Sequence, residues 1–314
     1  MRYVFKKILS SIITLFIVSL LVFVAFALIP GDPALSRLGT NATESALASL
    51  RHQMGLDKPL MVRYFIWLGS ALRGDFGTSY SYSMSVTSMI ADKLPITVTL
   101  MIYSLLLMII ISVPLGVYAS YKEGTLIDRI IQIINQIIMA IPPFFSGILI
   151  TLFFGMILRI FTPGGFVSIS KNAVGFFGFM FFPSLAIALP KSAMVLNLLY
   201  SSLNGEKKKD YVRTAYSRGN RSKTVFFGHM LKNASIPTIT FLGMALADII
   251  AGSIIIEQVF GIPGLGRILL TSIQNRDYPV VIAIIMLVAV VVIICNLAVD
   301  IIYRIVDPRV EENT

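Results

Sequence analysis

Residues 280–303 read VVIAIIMLVAVVVIICNLAVDIIY, an apolar run whose strongly polar positions are Asn296 and Asp300. A run of this length is sufficient for an α-helix that crosses a hydrocarbon layer about 30 Å thick. Five further apolar segments of comparable length lie at about 8–30, 96–119, 130–160, 180–200 and 237–260. The sequence therefore predicts an all-α polytopic membrane protein with six transmembrane helices.

The amino-acid composition excludes an ordinary soluble domain. Hydrophobic residues make up 56% of the 314 residues and charged residues 13%, whereas soluble domains contain about 25% charged residues. The net charge of +10 would suggest a nucleic-acid partner in a soluble protein. Here Lys and Arg flank apolar segments, where they act as an orientation signal. We therefore expect a lipid bilayer, and no nucleic acid, around this chain.

The distribution of basic residues predicts the orientation. Fifteen Lys and Arg residues lie in segments 1–7, 120–129, 201–236 and 304–314, and four lie in 159–179 and 261–279. Loops on the cytoplasmic side carry the excess of Lys and Arg. Both termini and the 201–236 loop are therefore predicted to be cytoplasmic. The 31–94 loop is long enough to be translocated whatever its charge.

These predictions divide the chain into four parts. They are residues 1–30 as a first transmembrane helix, residues 31–94 as an external loop domain, residues 95–305 as a five-helix core that includes the 201–236 loop, and residues 306–314 as a cytoplasmic tail. A signal peptide is the alternative for the first part. The apolar stretch at about 8–30 is longer than the 7–15 residues of a typical signal-peptide core, which favours a helix that is retained in the protein.

Two local patterns add detail to this division. In the external domain, apolar residues at helical spacing predict two short amphipathic helices; they are Leu47, Leu50 and Met54, then Leu60, Tyr64, Trp67 and Leu68. In the third apolar segment, the Pro142-Pro143 pair predicts a break, because proline cannot donate the helical hydrogen bond of its own turn.

Residues for catalysis or metal binding are scarce in the sequence. His52 and His229 fall in loops predicted on opposite sides of the membrane, and Cys295 lies inside an apolar run. Gly261–Gly266 resembles a dinucleotide loop only superficially, because it contains Pro263 and follows a membrane segment instead of a strand. No phosphate-binding P-loop motif occurs. We predict no catalytic residue, no cofactor and no metal site.

Two charged residues lie near the middle of apolar segments. Lys191 and Asp248 fall about 13 and 16 Å from the cytoplasmic ends of their segments, at about 1.5 Å per residue. A lone charge at such a depth is costly, so each needs a partner or a water-filled path. A structural ion pair and a lining of the translocation route for a zwitterionic solute both satisfy this need, and snorkelling towards the interface is a third possibility. Close helix packing is predicted beside Asp248 by the small residues Gly243, Ala247 and Ala251.

The 201–236 loop has more structure than a basic anchor requires. Its sequence predicts a short helix over Val212–Arg218, a turn with positive φ at Gly219 and a second helix over Thr224–Lys232 that precedes Pro237. Such an arrangement would form a rigid knob at the membrane surface.

One side of the first predicted helix in this loop is apolar. Val212, Ala215 and Tyr216 share that side. An amphipathic helix can place its apolar side in a groove of another protein. We therefore expect these three residues to enter a groove on a soluble partner.

Several separated stretches together resemble the permease subunits of ABC importers of the dipeptide, oligopeptide and nickel class. The stretches are Pro30–Pro33, Gly55–Leu60, Arg63-Tyr64, Trp67-Leu68, Gly74–Ser79, Leu94–Thr97, Asp210–Gly219, Glu257–Gly266, Asp277–Pro279, Asp300, Tyr303 and Asp307–Arg309. Each stretch is a weak signal alone, but their order and their predicted sides of the membrane agree with that family along the whole chain.

The resemblance implies a fold, site residues and partners. The fold would be the type I ABC importer permease fold. The residues of the ATPase-coupling loop would be Asp210, Tyr211, Val212, Arg213, Ala215 and Gly219, and further family-motif residues would be Glu257, Pro263, Gly264, Gly266 and Asp277. Expected partners are a second homologous permease subunit, two cytoplasmic ATPase subunits and an external solute-binding protein. The chain would hydrolyse no ATP itself.

The resemblance also implies a location and a cargo. The chain would lie in a bacterial inner or plasma membrane and carry oligo- or dipeptides, with nickel chelates or oligosaccharides as the alternatives. A secondary transporter or channel, and a membrane-embedded enzyme, are the competing classes. The first would need an ion-coupling site or selectivity ring, and the second a catalytic constellation; the sequence indicates neither.

The chain departs from the family pattern at two places. The family often has Ala-Arg-Ala-Lys-Gly where this chain has Ala215–Gly219, so the resemblance covers Ala215 and Gly219 at the ends of that stretch. Apolar or small residues are usual where Lys191 and Asp248 stand. We therefore expect these two residues to serve a property specific to this transporter.

Overall fold

The structure is a computed structural model that describes residues 2–29, 33–38 and 42–306. Within these ranges the chain is helical, with one isolated bridge between Thr78 and Ser85 and no named strand. The prediction of an all-α fold is confirmed. Motif residues 30–32 and 307–309, and the predicted tail beyond Val306, lie outside the described residues.

The chain divides into two compact units. The first contains residues up to Thr97 together with Pro263–Ile293. Its elements are α1 (Arg2–Leu28), α2 (Pro33–Leu38), α3 (Glu44–Gln53), α4 (Leu60–Ala71), the start of α5 (Val86–Tyr121), α12 (Leu265–Gln274) and most of α13 (Tyr278–Val306). Helices α3 and α4 are the two short helices predicted for the 31–94 loop.

The second unit contains Val98–Ile262 and the residues from Ile294 onward. Its elements are the rest of α5, α6 (Leu126–Met139), α7 (Pro143–Ile150) with a π-helical continuation (Thr151–Ile157), α8 (Ala173–Glu206), α9 (Asp210–Ser217), α10 (Ser222–Thr224) with a π-helical segment (Val225–Met230), α11 (Leu231–Phe260) and the end of α13. Helix α8 packs against α6, α7 and α11 and forms the centre of this unit.

Among the described residues, five helices are long and apolar enough to cross a membrane. They cover Lys6–Leu28, Val86–Tyr121, Ala173–Glu206, Ser222–Phe260 and Tyr278–Val299. A sixth candidate is the pair Leu126–Met139 and Pro143–Ile157, which is bent by 104°. The bend coincides with the predicted break, where Pro142 caps α7 and Pro143 is its first residue. The six predicted segments are thus recovered when the bent pair counts as one span.

The prediction of a Thr224–Lys232 helix separate from the 237–260 segment is wrong. The helix from Ser222 runs through Pro237 to Phe260 without interruption. Hydroxyl groups add hydrogen bonds to the carbonyls around the proline, from Ser235 to Leu231 at 2.6 Å and from Thr240 to Ile236 at 3.2 Å. Neither bond goes to the carbonyl of Asn233, which is the one that loses its helical donor to Pro237.

Helix α8 contains a proline whose missing hydrogen bond is replaced from a neighbouring helix. Pro190 has no N–H, so the carbonyl of Ala186 four residues earlier loses its helical donor. The Ser146 hydroxyl of α7 donates to that carbonyl at 2.5 Å. From α6, the Asn135 amide donates to the Ala193 carbonyl of α8 at 3.1 Å. These bonds hold α6 and α7 against α8 on both sides of Lys191.

Candidate functional site

Helix α9 forms the knob predicted between the two long helices α8 and α11. It begins at Asp210 and ends at Ser217, and Gly219 follows with φ of +77°. Only glycine adopts this conformation without steric cost. Asn220 closes the turn, because its backbone N–H and side-chain amide donate to the Ala215 carbonyl at 3.3 and 3.1 Å.

The apolar side of α9 faces its own chain. Val212 is 2% exposed and Ala215 is 9% exposed, and both pack in a cluster with Leu203, Phe226 and Met230. The expectation that these two residues enter a partner's groove is therefore wrong. The helix period indicates an apolar side correctly, but it does not indicate which surface covers that side. Tyr216, the third residue of the expected set, is 47% exposed.

The exposed side of this region is polar and cationic. We call it the knob surface; it consists of Asp210, Arg213, Thr214, Tyr216, Ser217, Arg218, Arg221 and Lys223. Hydrogen bonds of Thr214 and Ser217 go to backbone carbonyls of α9 itself. The surface therefore combines a rigid backbone, an exposed aromatic ring and four positive charges against one negative charge.

Glu206, at the end of α8, ties α9 to that helix. The residue is 7% exposed, and its carboxylate accepts hydrogen bonds from Lys209 at 2.6 Å and from the Tyr211 hydroxyl. Burial, followed by the hydrogen bond to the Glu206 carboxylate, raises the pKa of Tyr211 above its usual value. Tyr211 thus remains a neutral donor, and α9 starts in a fixed direction relative to α8.

Lys207, which follows the last residue of α8, connects this end of α8 to the end of α5. Its ammonium group donates to the Ser120 carbonyl at 2.7 Å and to the Glu123 carboxylate at 2.6 Å. The hydroxyl of Ser120 in turn donates to Asn204 at 2.7 Å. The knob is consequently joined to α8 and α5 by charged groups, and to α11 by the apolar cluster.

Lys191 of α8 and Asp248 of α11 come together in the structure. The ammonium nitrogen lies 2.5 Å from a carboxylate oxygen, with 14% of the Lys191 side chain and 60% of the Asp248 side chain exposed. Lys191 is therefore enclosed by its own chain, whereas Asp248 presents an open side at the surface of the single chain. The contact itself is compatible with a structural ion pair and with a place on a translocation route.

The small residues beside Asp248 differ in their surroundings. A Cβ atom added at Gly243 would lie 1.9 Å from a methyl carbon of Val299 in α13. Gly243 is buried, Ala247 is half-buried and Ala251 is exposed. Of the predicted stripe, Gly243 is therefore the position where absence of a side chain permits close helix packing.

The motif from Glu257 to Gly266 contains the end of α11 and the start of α12. Glu257 is fully buried, and its carbonyl accepts a hydrogen bond from the Ile262 N–H at 2.8 Å. In the first unit, Gly264 precedes α12 and the Leu265 N–H donates to the Thr97 hydroxyl at 2.9 Å. Gly266 is buried and Pro263 half-buried. The motif residues thus serve chain turns and close packing.

Asp277 joins two distant sequence stretches in the first unit. It is fully buried, and its carboxylate accepts hydrogen bonds from the Ser79 hydroxyl, from the Tyr80 N–H at 2.9 Å and from the Ser81 N–H at 3.1 Å. The stretches Gly74–Ser79 and Asp277–Pro279 therefore meet at the start of α13. In the part of the chain that the structure describes, no three His, Cys, Asp or Glu side chains are grouped as metal ligands.

Residues 112–312 match the family described as the binding-protein-dependent transport system inner membrane component. Residues 1–101 match the N-terminal region of the corresponding membrane component. The chain belongs to this family. It is therefore a multi-pass membrane permease of a binding-protein-dependent transport system, and the resemblance seen in the sequence is confirmed.

Relatives of this permease match it over nearly its whole length. A probable peptide ABC transporter permease of Sinorhizobium fredii is 31% identical, with 98% of each chain covered. An oligopeptide transport system permease of Bacillus subtilis is 34% identical, covering 98% of this chain and 99% of the relative. A putative peptide transport system permease of Brucella abortus is 31% identical, with 98% of each covered.

Sequence reasoning missed the groups that hold the knob of this permease. Three consecutive lysines at 207–209 have the pattern of a basic membrane anchor, whereas in the structure Lys207 binds Glu123 and Lys209 binds Glu206. The spacing of Glu206 and Lys209, three positions apart, is a signal for a side-chain pair on a helix. The pairing of Lys207 with Glu123, across 84 positions, has no such local signal.

Proposed function

We propose that this permease forms half of the translocation pore of an ATP-driven importer of oligo- or dipeptides. A second homologous permease would complete the pore, two cytoplasmic ATPase subunits would bind the knob surfaces, and an external solute-binding protein would deliver the cargo. The permease itself would hydrolyse no ATP. Two relatives that match nearly the whole length of the chain have names that specify peptides or oligopeptides. These names support a peptide as the cargo.

The observation that carries the coupling role is the attachment of α9. The knob surface projects from a helix whose opposite side is buried against α8 and the helix that continues as α11. Glu206 adds a second attachment to α8, and Lys207 links α8 to α5. A displacement of the knob surface by ATPase subunits would therefore move these long helices, because packed interiors transmit strain with little compression.

The two helices attached to the knob also carry the intramembrane pair. Lys191 lies on α8 and Asp248 on α11. The open side of Asp248 offers a carboxylate to the ammonium terminus of a peptide, and separation of the pair would expose Lys191 to the carboxyl terminus. Uncharged oligosaccharides would gain no ionic contact from either group, so the pair favours a zwitterionic cargo.

Transport by the reconstituted complex tests this function. The permease, its partner permease, both ATPase subunits and the binding protein are placed in vesicles, and entry of a labelled tripeptide is measured with and without ATP. We expect uptake that requires ATP and all subunits, and no uptake of a trisaccharide or a nickel chelate. Uptake that follows an ion gradient in the absence of ATPase subunits would identify a secondary transporter instead.

The proposed orientation has an independent test in single cysteines. Ser81 and Lys207 are each replaced by Cys in a Cys295→Ala background and treated with a membrane-impermeant thiol reagent. We expect labelling of position 81 from outside and of position 207 from the cytoplasmic side, because the basic 201–236 loop is predicted to be cytoplasmic. Labelling of both positions from one side would contradict the proposed six-span topology.

A further inference from the structure

A cavity in the first unit lies at the ends of two candidate membrane helices. Its volume is about 820 Å³, and residues of α1, α3, α4, the 76–80 turn and α13 line it. Phe23 and Phe26 of α1 and Ile282 of α13 form part of its wall, and both helices are long and apolar enough to span a membrane. An apolar wall of the cavity thus continues into the proposed transmembrane region.

The charged lining of this cavity is cationic. Arg51 and Arg63 line it, and no Asp or Glu is found among the lining residues that the structure describes. Arg51 has an ion-pair partner in Glu44 at 3.4 Å. For Arg63, which is half-buried, the described part of the chain provides no carboxylate within ion-pair distance. A half-buried guanidinium beside a cavity without acidic groups favours an anionic ligand.

Two further lining residues have polar atoms without hydrogen-bond partners. Within the described ranges, the Trp67 indole nitrogen and the Tyr278 hydroxyl are buried and form no hydrogen bond. Trp67 lies one helical turn after Arg63, so both are on one side of α4. A buried donor without a partner costs free energy that an acceptor in the cavity would recover. Phosphate and carboxylate oxygens are acceptors of this kind and also carry the charge that the guanidinium favours.

The other side of α4 indicates that this place borders lipid. Met61, Val62, Phe65 and Ile66 are all large apolar residues with 45–60% of their surface exposed. They share one stripe of α4 that is separate from the side of Arg63 and Trp67. A short helix with an exposed apolar stripe beside the ends of membrane spans is typical of a helix that lies in the membrane interface.

We propose that this cavity binds the headgroup of an anionic phospholipid. Arg63, the Trp67 indole N–H and the Tyr278 hydroxyl bind the phosphate oxygens, and an acyl chain follows Phe23, Phe26 and Ile282 into the bilayer. The inference rests on the proposed membrane placement of α1 and α13. It does not depend on the cargo or on the ATPase partners of the permease.

Lipid binding to the purified full transporter complex tests the proposal. Phosphatidylglycerol and phosphatidylcholine are titrated separately into the detergent-solubilised complex, and bound lipid is counted by native mass spectrometry. We expect phosphatidylglycerol to bind about tenfold more tightly in the wild type, because hydrogen bonds to a charged group are the stronger ones. Equal affinities for the two lipids would overturn the proposal.

Variants locate the binding to this cavity. Arg63→Gln should abolish the preference for phosphatidylglycerol, and Tyr278→Phe, which removes a hydroxyl alone, should weaken binding about threefold to tenfold. Arg73→Gln and Tyr82→Phe are matched controls, since both residues are exposed and lie outside the cavity lining. Unchanged binding in both Arg63→Gln and Tyr278→Phe would overturn the proposal. Tyr278→Phe also provides the decisive result if Arg63→Gln does not fold.

Competition distinguishes other occupants of the cavity. Inorganic phosphate or a tripeptide with a free carboxylate is added to the complex loaded with phosphatidylglycerol, at a concentration equal to that of the lipid. Retention of the lipid supports the proposal, whereas displacement by either competitor at equal concentration would assign the cavity to a soluble anion. ATP-dependent peptide uptake is measured in parallel. If peptides enter but phosphatidylglycerol binds no better than phosphatidylcholine, the lipid site alone is rejected. If phosphatidylglycerol is preferred but no peptide enters, the proposed function alone is rejected.

Discussion

Asp277 and Asp248 are two aspartates in different units with opposite surroundings. Asp277 is fully buried, and three donors from residues 79–81 satisfy its carboxylate. Asp248 has an ion pair with Lys191, but 60% of its side chain remains exposed. A buried carboxylate that accepts three hydrogen bonds from one chain turn holds a fold together. One that keeps an open side can exchange partners, which a transport route requires.

Replacement of Asp277 tests the buried aspartate of this comparison and should cause the largest loss of stability. Asp277→Ala removes the acceptor of the buried Ser79 hydroxyl and of the two part-buried N–H groups of Tyr80 and Ser81. Each such group costs about 1–3 kcal/mol, so the unfolding free energy should fall by roughly 3–5 kcal/mol. The measurement is thermal unfolding together with the yield of monodisperse protein.

Asp75→Ala is the matched control for Asp277→Ala. Asp75 is exposed and accepts one hydrogen bond, from the Gly77 N–H at 2.9 Å. Its loss should change stability by about 1 kcal/mol or less. Wild-type melting of Asp277→Ala would contradict the structural role that the comparison gives to this residue.

Substitutions in the Lys191–Asp248 pair test the partly exposed aspartate of the comparison. Asp248→Asn leaves the enclosed ammonium group of Lys191 without its counter-charge, whereas Lys191→Met leaves the more exposed carboxylate. Removal of one partner from a buried pair costs about 3–5 kcal/mol, and exposure lowers that cost. We therefore expect Asp248→Asn to reduce folded yield more than Lys191→Met, and the double variant to recover most of the loss.

Peptides with modified termini show whether the open side of Asp248 contacts cargo. In Asp248→Asn, uptake of a tripeptide with a free amino terminus should fall about tenfold relative to the N-acetylated peptide, as expected for loss of about 1.4 kcal/mol of differential binding. If all variants fold equally and both peptides enter at the wild-type rate, neither pairing nor a place on the route accounts for these residues.

Gly243 extends the comparison to a buried position that carries no charged side chain. In Gly243→Ala the new methyl group would meet Val299 at a distance of 1.9 Å, and such overpacking costs about 1–3 kcal/mol. The thermal midpoint should fall, and Val299→Ala should restore part of it, because this change removes the two nearest methyl carbons but keeps the Val299 Cβ at 2.8 Å. Gly252→Ala on the same helix is the control, because its nearest contact lies 3.9 Å away. A midpoint in Gly243→Ala equal to that of the control would contradict the close packing of α11 and α13.

Gly219 is an exposed glycine, in contrast to the buried Gly243, and its substitution should give the smallest change in stability. No atom lies within 4 Å of a Cβ atom added there, but φ is +77°, which a β-branched residue adopts only with strain. Gly219→Val should keep membrane insertion and lower the ratio of peptide uptake to ATP hydrolysis several-fold. Gly219→Asn, which tolerates this conformation better, should retain more coupling. Normal uptake in Gly219→Val would argue against a coupling role of the turn.

Hydropathy and proline patterns predicted most of the fold. The apolar segments, the two short helices α3 and α4 and the break at Pro142-Pro143 depend on local sequence, and the structure contains all of them. The continuation of the helix through Pro237 was missed, because a proline is typical of a helix boundary, whereas transmembrane helices tolerate proline in their interior. The inward side of α9 was missed because periodicity does not specify what covers an apolar side.

The candidate site was less predictable than the fold. Equal depth in the membrane indicated that Lys191 and Asp248 could meet, but the exposure of Asp248 depends on the packing of whole helices. Asp277 was chosen by resemblance, and its partner Ser79 lies 198 positions away. Contacts over such separations follow from the assembled fold and leave no periodic trace in the sequence.

Ser146 and Pro190 give α8 a mechanical property. A regular helix resists bending because each turn is closed by its own backbone bonds. At Pro190 one of these bonds is absent, and a hydroxyl of α7 occupies the carbonyl of Ala186 instead. Bending α8 at this point therefore requires the release of one side-chain hydrogen bond, worth about 1 kcal/mol, and no break in its backbone ladder. The helix that carries Lys191 thus has a mechanically weak point close to that residue, and a hydroxyl group of α7 reinforces it.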